Sequence, residues 1–540
     1  MPIDLTEWPS EAANSYRTEG LWQGTTYPEL LASLVRDFGS RTAVIDDRTR
    51  LTYTELADRS HAVARGLRRL GIADGDRVLL QLPNRVEFVI TWFALITLGA
   101  VPVHTQPGHR RSEMTHLAAL SEATAYVIPD EHAQFDHREL AAAVRAESPR
   151  LQHVIVVGDP GKHSDFVRFA DLEDSPSDEV PVTSSAVPGD IAVLLLSGGT
   201  TGLPKLIPRT HDDYQYNARA AAEVCHLGPD TVYLAALPIA FNYTWNCPGV
   251  LGALSVGGTV VMASNPDPSY CFGLIERHGV TITAINPQLA PVWLDEAEAT
   301  SVDLSGLRIL QIGSARLADD TARQVIDGFG ATLQQVFGMA EGLLCLTRLD
   351  DPPTVLATTQ GKPISSADEV RIVSGTDEEV PEGEAGELLT RGPYTLRGYY
   401  RADEHNTKSF TGDGFYRTGD LVRRTPSGHL IVVGRVKDQI NRGGEKIAAT
   451  EVEGHLLAHP AIRSVALVAC PDEDLGESSV AFVVVSQGSQ APTRADLAAF
   501  LKERGIAAYK TPDRVTVLDT MPLTPLGKMD KKALSALLPR

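Results

Sequence analysis

Ile191-Ala-Val-Leu-Leu-Leu-Ser197-Gly-Gly-Thr-Thr-Gly-Leu-Pro-Lys205 is the stretch around which the fold of this 540-residue chain is organised. Its six apolar residues predict a buried strand. The three glycines and three hydroxyl residues that follow predict a loop of bare amides and hydroxyl donors for a polyanion such as nucleotide phosphates. Leu206-Ile-Pro-Arg-Thr210 predicts a second strand. The alternative is a hairpin turn that binds no ligand.

The loop differs from the phosphate loop of P-loop kinases and GTPases. That loop has the pattern Gly-x-x-x-x-Gly-Lys-Ser/Thr and opens a helix. Here Pro204 separates the glycines from Lys205, and Pro208 disfavours a helix after the loop. We therefore expect a nucleotide chemistry other than that of the P-loop enzymes.

The composition indicates a large, acidic, globular chain. Its length predicts roughly three or four domain-sized units, and 43% hydrophobic residues suffice for large cores. The net charge of −20 disfavours nucleic acid and anionic membranes as partners. Five cysteines without a C-x-x-C pair predict neither a disulfide framework nor a thiolate zinc site and suit a reducing cytoplasm. Since we find no signal-peptide or membrane-span pattern, we expect a cytoplasmic protein.

Helix and strand patterns alternate through most of the chain. Capping patterns at Thr52-Tyr-Thr-Glu55 and Asn84-Arg-Val-Glu87 each predict the start of a helix. The alternation predicts an α/β fold with doubly wound, mixed sheets. The segment Phe241–Gly249 is predicted to be a loop rich in aromatic and amide groups. From about residue 368, short strands predict a β-rich subdomain, and from Asp438 a small α+β unit completes the chain.

Five motifs resemble, in order, the signature motifs of the adenylate-forming superfamily, which comprises acyl-CoA synthetases, peptide-synthetase adenylation domains and luciferases. They are Ser197-Gly-Gly-Thr-Thr-Gly-Leu-Pro-Lys205, Phe337-Gly-Met-Ala-Glu-Gly342, Tyr416-Arg-Thr-Gly-Asp420, Gly434-Arg-Val-Lys-Asp438 with Asn441-Arg-Gly-Gly-Glu-Lys446, and Pro525-Leu-Gly-Lys528. Further segments resemble the free-standing aryl-acid AMP ligases, which activate salicylate or 2,3-dihydroxybenzoate. These segments are Leu82-Pro-Asn84, His104-Thr-Gln-Pro-Gly-His109, Ile207-Pro-Arg-Thr-His-Asp-Asp-Tyr214 and Asn441-Arg-Gly-Gly-Glu-Lys-Ile-Ala448.

The resemblance implies that a carboxylate attacks the α-phosphorus of ATP and that pyrophosphate leaves, with ATP and Mg²⁺ as cofactors. Lys528, Glu341 and Thr200 are the implied catalytic residues, and Glu341 is the implied magnesium ligand. The implied nucleotide-binding residues are Ser197, Gly198, Gly199, Thr200, Thr201, Gly202, Lys205, Gly313, Ser314, Ala315, Val336, Phe337, Gly338, Met339, Ala340, Asp420, Arg435 and Lys528.

Several of these residues have a simpler interpretation. Glu341 is otherwise a solvated loop acid, and Asp420 with Arg435 is otherwise a turn cap beside a surface arginine. Lys528 is otherwise a tail lysine. Ser314 stands where the aryl-acid subgroup commonly has glycine, which weakens the case for its role in the adenine slot.

The resemblance also implies a large domain of residues 1–434 and a small mobile domain of residues 435–540, with a hinge at Asp438. Rotation about this hinge would let one site catalyse adenylation and then thioester formation. Gly443 and Gly444, with Lys446 nearby, would admit the phosphopantetheine arm of an aryl carrier protein; a simple glycine turn is the alternative. An aryl-CoA synthetase is the enzymatic alternative, and a non-catalytic adenylate-binding protein is the alternative of another class. A monomer or a homodimer is expected.

The implied acid pocket consists of Phe241, Asn242, Tyr243, Cys247, Gly313, Gly338 and Leu344. Asn242 is expected to hydrogen-bond the carboxylate or the ortho hydroxyl of the acid. Cys247 and Leu344 resemble the salicylate activators, because a thiol pairs poorly with a 3-hydroxyl and leucine fills its space. Phe241, where histidine is usual, and Trp245-Asn246 depart from the subgroup. We expect salicylate, or an ortho-hydroxy or ortho-amino acid such as 3-hydroxypicolinate or hydroxyanthranilate, in siderophore or peptide natural-product assembly; 2,3-dihydroxybenzoate is the alternative.

Overall fold

The computed structural model describes residues 5–174, 182, 185–197, 204–442, 445–472, 475–524 and 528–538. Within these ranges the strands form two large sheets, two smaller sheets and a two-stranded ribbon, Glu131–His132 with Phe135–Asp136. None of the helices in these ranges has the length and apolarity that a membrane span requires.

The largest sheet contains nine strands of the described chain and is mixed. Its central strands run parallel, and antiparallel partners close both edges. In spatial order the strands are Lys362–Pro363, Leu344–Leu346, Thr332–Gly338, Ile309–Gly313, Ile282–Ile285, Val232–Ala235, Thr259–Met262, Thr42–Ile45 and Arg50–Thr52. The parallel strands are apolar runs because helices bury both faces of the sheet.

The second large sheet contains the two strands that flank the predicted phosphate loop. Strand Ile191–Leu196 pairs with Leu206–Thr210 in antiparallel fashion, and the Ser197 amide donates to the Lys205 carbonyl at 2.9 Å. The two predicted strands are therefore confirmed, whereas residues 198–203 of the predicted loop lie outside the described residues. The sheet order is Leu206–Thr210, Ile191–Leu196, Val101–His104, Arg77–Leu80, Ala125–Pro129, His153–Val157 and Val167–Arg168.

Two smaller sheets follow in the chain. The predicted β-rich segment forms an antiparallel sheet of Glu369–Val373, Gly386–Arg391, Tyr416–Arg424 and Leu430–Arg435. A one-turn 3-10 helix, Val436–Asp438, leads from it into the last sheet. That sheet contains Glu445–Ala448, Gln439–Arg442, Gly476–Val485, Ile462–Asp472 and Arg514–Val517.

Helices cover the large sheets and the last sheet. In chain order they are Ser10–Thr18, Tyr27–Phe38, Tyr53–Arg69, Val86–Leu98, Arg111–Ser121, His137–Glu147, Phe169–Glu173, His211–Val224, Asn242–Asn246, Gly249–Ser255, Pro268–His278, Leu289–Ala299, Asp319–Gly328, Pro353–Thr358, Asp403–Ser409, Ala449–Leu457, Arg494–Glu503 and Lys531–Ala536, with a second 3-10 turn at Ala508–Lys510. The Thr52 side chain caps the third helix with Glu55, as its capping box predicts.

The helix predicted to start within Asn84-Arg-Val-Glu87 and to run to about Leu98 is confirmed, but Asn84 does not cap it. The helix begins at Val86, after Arg85, and has no side-chain cap. The Asn84 amide instead donates at 2.9 Å to three carbonyls that follow strands of the nine-stranded sheet, including that of Ala235, and its oxygen accepts from the Ile239 amide at 2.7 Å. These buried backbone groups need partners at the strand ends, and Asn84 joins the two large sheets there.

Candidate active site

A cleft of about 1710 Å³ opens where the parallel strands of the large sheets end and where the last sheet meets them. Carboxyl ends of parallel strands are the usual place for a binding crevice in α/β proteins. Of the residues singled out from the sequence, the cleft is lined by Ser197, Lys205, Phe241, Asn242, Tyr243, Cys247, Ser314, Ala315, Val336, Phe337, Gly338, Met339, Ala340, Glu341, Leu344, Asp420, Arg435, Asp438 and Lys528.

Other predicted residues lie elsewhere or are not described. Gly313 lies behind the cleft wall, at the end of strand Ile309–Gly313. The strand Glu445–Ala448 contains Lys446 and lies in the last sheet. Outside the described residues are Gly198, Gly199, Thr200, Thr201, Gly202, Gly443 and Gly444.

Glu341 is a buried carboxylate on the cleft wall, with an exposed fraction of 7%. Burial raises its pKa, and a hydrogen bond from the Tyr399 hydroxyl to Oε1, at 2.8 Å, opposes that effect. The Tyr399 hydroxyl also lies 2.8 Å from that of Tyr416, and the Lys205 ammonium lies 5.4 Å from the Tyr399 ring centroid. These contacts hold an acidic group beside a cation at the base of the 197–205 loop.

Asp420, Arg435 and Lys528 bring further charge to the cleft, close enough to affect the pKa values of one another. Asp420 Oδ1 lies 2.8 Å from Arg435 Nε, and Arg435 Nη2 donates to the Thr418 carbonyl at 3.2 Å. Burial raises the pKa of Asp420, while Arg435 and Lys528 lower it. The pKa of Lys528 is lowered by burial and then by Arg435, and is raised by Asp420 and Glu341.

The Lys528 backbone is held by Thr524. The Thr524 amide donates to the Lys528 carbonyl at 2.7 Å, and the Lys528 amide donates to Thr524 Oγ1 at 3.2 Å. These paired hydrogen bonds position a residue from the last sheet's domain in a cleft that residues 195–344 also line.

The far end of the cleft is narrow and largely apolar. Asn242 Oδ1 accepts from the Tyr214 hydroxyl at 2.7 Å, and Nδ2 lies 3.7 Å from Cys247 Sγ. Burial raises the pKa of the Cys247 thiol to about 12, so the thiol stays neutral. Leu344 is 1% exposed and closes the pocket beside Gly338.

Two glycines let the walls of this pocket approach each other. A Cβ on Gly338 would lie 2.8 Å from Leu344 Cδ1, and one on Gly313 would lie 3.0 Å from Tyr243 Cζ. The first distance is shorter than real Cβ contacts allow and the second is at the tight limit, and a Cβ on Gly313 would also lie 2.7 Å from the Val336 carbonyl oxygen. A larger residue at either position would displace the side chains that shape the pocket.

Family comparison identifies the chain. Residues 31–400 match the model of the AMP-binding enzyme family, and residues 451–528 match that of its C-terminal domain. The chain belongs to the AMP-binding enzyme family. The resemblance to adenylate-forming enzymes is thereby confirmed.

Relatives of nearly full length support the aryl-acid subgroup. A 2,3-dihydroxybenzoate-AMP ligase of Bacillus subtilis (strain 168) is 52% identical over 98% of this chain and 97% of its own length. A salicyl-AMP ligase / salicyl-S-ArCP synthetase of Mycobacterium tuberculosis is 49% identical over 98% of this chain and 93% of its own. The apo structure of MbtA from Mycobacterium smegmatis superimposes with a TM-score of 0.76, at 47% identity and 99% coverage of both chains.

The structure corrects one prediction about the pocket of this AMP-binding enzyme. The segment predicted as a loop at Phe241–Gly249 contains a short helix, Asn242–Asn246. Of its aromatic residues, Phe241 and Tyr243 line the cleft, whereas Trp245 is fully buried in the core against Phe88 and Trp92. A one-turn helix places Asn242 at its start and turns Cys247 back beside it.

Ser314, predicted to stand where the aryl-acid subgroup commonly has glycine, has a backbone conformation that suits glycine. Ser314 has φ of +73°, in the left-handed region that residues with a Cβ rarely adopt. Glycine would adopt this conformation without the steric cost that the Ser314 Cβ brings. Ser314 still lines the cleft.

Sequence reasoning missed three tyrosines, of which Tyr399 and Tyr416 line the cleft and Tyr214 lies behind it. Tyr399, which hydrogen-bonds Glu341, lies in Arg397-Gly-Tyr-Tyr400 and was not singled out. Tyr416 and Tyr214 occur in quoted motifs but received no role. A tyrosine inside a signature motif is a signal for such a partner, because a buried carboxylate or amide requires one.

Proposed function

We propose that this enzyme activates an aryl carboxylic acid with ATP to an aryl adenylate, releasing pyrophosphate. In a second step it would transfer the acyl group to the phosphopantetheine thiol of an aryl carrier protein. The observation that carries the proposal is one cleft in which Lys528, Glu341 and Asp420 share the space beside Asn242. These groups suit a phosphate-transfer site adjoining a small apolar acid pocket.

The nucleotide end supplies contacts for each part of ATP. Phe337 and Gly338 offer a flat ring and bare backbone to the adenine, and Asp420 offers a carboxylate to the ribose hydroxyls. The loop from Ser197 to Lys205, including Thr200 and Thr201, would hold the departing pyrophosphate. Its closed base brings Lys205 to the Tyr399 and Glu341 side of the cleft.

Lys528 would act on the reacting atoms. In the adenylation step the acid's carboxylate oxygen bonds to the α-phosphorus, and the bond from that phosphorus to the bridging oxygen breaks. An ammonium group in the cleft can donate to both the carboxylate and the bridging oxygen as charge develops on them. Burial lowers the pKa of Lys528. An approaching polyanion acts in the opposite direction and favours the protonated ammonium group.

The residues present also fit a magnesium ion. Glu341 is a buried carboxylate, and burial raises its pKa because it disfavours the charged form. A nearby divalent cation would stabilise that charged form. Within the described ranges, no cluster of three or more His, Cys, Asp or Glu side chains forms a metal site of its own. We therefore propose that Glu341 shares the ion with nucleotide phosphates, whose charge the ion would neutralise.

The acid pocket favours salicylate or a similar ortho-substituted acid. The two relatives described above are named for different acids at 52% and 49% identity, so overall identity does not select between them. The buried neutral thiol of Cys247 is a poor partner for a 3-hydroxyl, and Leu344 occupies volume beside it. These side chains support salicylate over 2,3-dihydroxybenzoate.

The second step would use a division into residues 1–434 and 435–540, with Asp438 as the hinge. Asp438 ends the one-turn helix between the third and fourth sheets, and its neighbour Val436 is 47% exposed. Rotation there would withdraw Lys528 and present Gly443, Gly444 and Lys446 to the thiol arm. The five cysteines are all free and buried, which supports a reducing cytoplasm as the place of the reaction.

ATP–pyrophosphate exchange over a panel of substituted benzoates and picolinates tests the first step. Salicylate should support exchange faster than 2,3-dihydroxybenzoate. Adenylate binding without exchange for any acid would favour the non-catalytic alternative. For the second step, turnover with a holo aryl carrier protein should exceed turnover with CoA; the reverse order would identify an aryl-CoA synthetase.

A further inference from the structure

A buried polar network lies behind the acid pocket and has no role in the mechanism above. It is built by the stretch Ile207–Tyr214 and the helix His211–Val224. Arg209, Asp213 and Tyr214 are fully buried, and Asn217 is 1% exposed. A buried network of this kind is costly unless its members are satisfied, so its geometry is strongly determined.

Arg209 fixes the position of Tyr214. Its Nε, at the end of strand Leu206–Thr210, lies 2.7 Å from Asp213 Oδ1 in the first turn of the following helix, and its guanidinium carbon lies 4.7 Å from the Tyr214 ring centroid. Its Nη1 donates at 3.0 Å to the carbonyl of Ala340, the residue before Glu341. One arginine therefore supports both the acid pocket and the nucleotide segment.

Tyr214 in turn determines which way the Asn242 amide points. The Tyr214 hydroxyl donates to Asn242 Oδ1 at 2.7 Å, and burial, which raises the pKa of Tyr214, keeps the proton on that hydroxyl. Asn242 and Cys247 line the cleft, whereas Tyr214 lies behind it. The amide oxygen is therefore turned away from the cleft, and the Nδ2 side, next to Cys247, faces it.

We propose that Tyr214 is a specificity-determining positioning residue, which makes Asn242 present an N–H donor to the ortho substituent of the acid. This inference rests on the proposed aryl-acid activation. It narrows the substrate class to acids with an ortho oxygen and selects against acids with an ortho amino group.

The chemistry of the two substituents explains the selection. In salicylate, the phenol proton bonds internally to the carboxylate, which leaves an oxygen lone pair facing outward to accept from Asn242. In anthranilate, one amino hydrogen makes the same internal bond and the other points outward, at the Asn242 N–H. Two opposed donors leave a buried group unpaired, which discriminates strongly between otherwise similar ligands.

Tyr214→Phe tests the inference, with Tyr216→Phe as the matched control. Tyr216 lies on the same helix and is 7% exposed, and its hydroxyl donates to Ser365 Oγ at 2.6 Å, away from the acid pocket. Exchange kinetics would be measured with salicylate and anthranilate in wild type and both variants. Thermal unfolding and the KM for ATP would be recorded for each.

Wild type should prefer salicylate over anthranilate in kcat/KM by about tenfold or more. Tyr214→Phe should reduce that ratio at least threefold, chiefly through a higher KM for salicylate, with the KM for ATP unchanged. Tyr216→Phe should leave the ratio at its wild-type value.

An unchanged ratio in Tyr214→Phe, or a wild type that prefers anthranilate, would overturn the inference and leave aryl-acid activation standing. An equal rise in the KM values for acid and ATP would assign Tyr214 a general structural role and also overturn it. A wild type that exchanges no aryl acid at all would overturn the proposed function together with the inference.

Discussion

Replacing Cys247 by serine should move the acid preference toward 2,3-dihydroxybenzoate. Cys247 is 6% exposed, lines the cleft and lies 3.7 Å from the Asn242 amide nitrogen. Its pKa of about 12 means that it presents a neutral thiol, a weak hydrogen-bond partner, at any physiological pH. A serine hydroxyl can both donate to and accept from a 3-hydroxyl on the ring.

The expected magnitude follows from one neutral hydrogen bond. Such a bond contributes about 0.5–1.5 kcal/mol net, so the kcat/KM ratio of 2,3-dihydroxybenzoate to salicylate should rise about threefold to tenfold. Leu344→Val removes one methylene, worth about 0.8 kcal/mol or roughly fourfold, and opens space for the extra hydroxyl. Because the two side chains line the same pocket, we expect the double variant to show some coupling.

ATP–pyrophosphate exchange with both acids measures the ratio directly. Cys225→Ser is the matched control, since Cys225 is an equally buried thiol whose hydrogen-bond partner, at 3.1 Å, is the core residue Gln334. It should leave the ratio unchanged. If Cys247→Ser leaves the ratio unchanged or shifts it toward salicylate, the assignment of Cys247 to the 3-position is wrong.

Three further predictions concern the charged residues. Lys528→Ala should slow adenylation about 10²–10³-fold while hardly affecting transfer from a preformed adenylate. The control Lys532→Ala, at an exposed position, should leave both half-reactions at their wild-type rates. Equal losses in both half-reactions of Lys528→Ala would contradict the role of Lys528. The kcat/KM for adenylation should fall as pH rises through the pKa of Lys528, which burial holds below the ordinary value of 10.5. Lys528→Arg should remove that fall, because an arginine keeps its charge. A fall at alkaline pH that persists in Lys528→Arg would belong to another group. Burial raises the pKa of Asp368 to about 7, so the protonated form of Asp368 stabilises the fold at low pH. On the order of 4 kcal/mol of the free energy of unfolding is lost as the pH rises from about 4 to 7. Asp368→Asn keeps an acceptor for the Tyr394 hydroxyl and should raise the melting temperature at pH 8 but not at pH 4; a parallel shift at both pH values would exclude this titration.

Local patterns gave reliable predictions where the interacting residues are close in the chain. The Thr52 capping box forms as expected because its hydrogen bonds span three residues. The 191–210 stretch forms its antiparallel pair because Pro204 and Pro208 leave no helix to compete with it. The family motifs also predicted the reaction class, and the comparisons with known proteins confirmed it.

Predictions failed where a side chain's partners come from distant segments. The helix predicted near Asn84 does form, yet Asn84 does not cap it, because its amide bonds carbonyls as far as Ala263, 179 residues away. The segment Phe241–Gly249 has the composition of a loop, yet burial of Trp245 among the aromatic residues of the core favours a helical turn. Composition does not encode these long-range contacts.

The sequence by itself determined the α/β fold class, the adenylate-forming family and the set of residues that could meet ATP and an aryl acid. Only the tertiary structure decided how those residues face one another. The Asn242 amide takes its direction from Tyr214, 28 positions earlier, and Glu341 takes its hydrogen bond from Tyr399, 58 positions later. A hydrogen bond has a direction only once donor and acceptor are packed together, so the polarity of the acid pocket is a property of the folded chain.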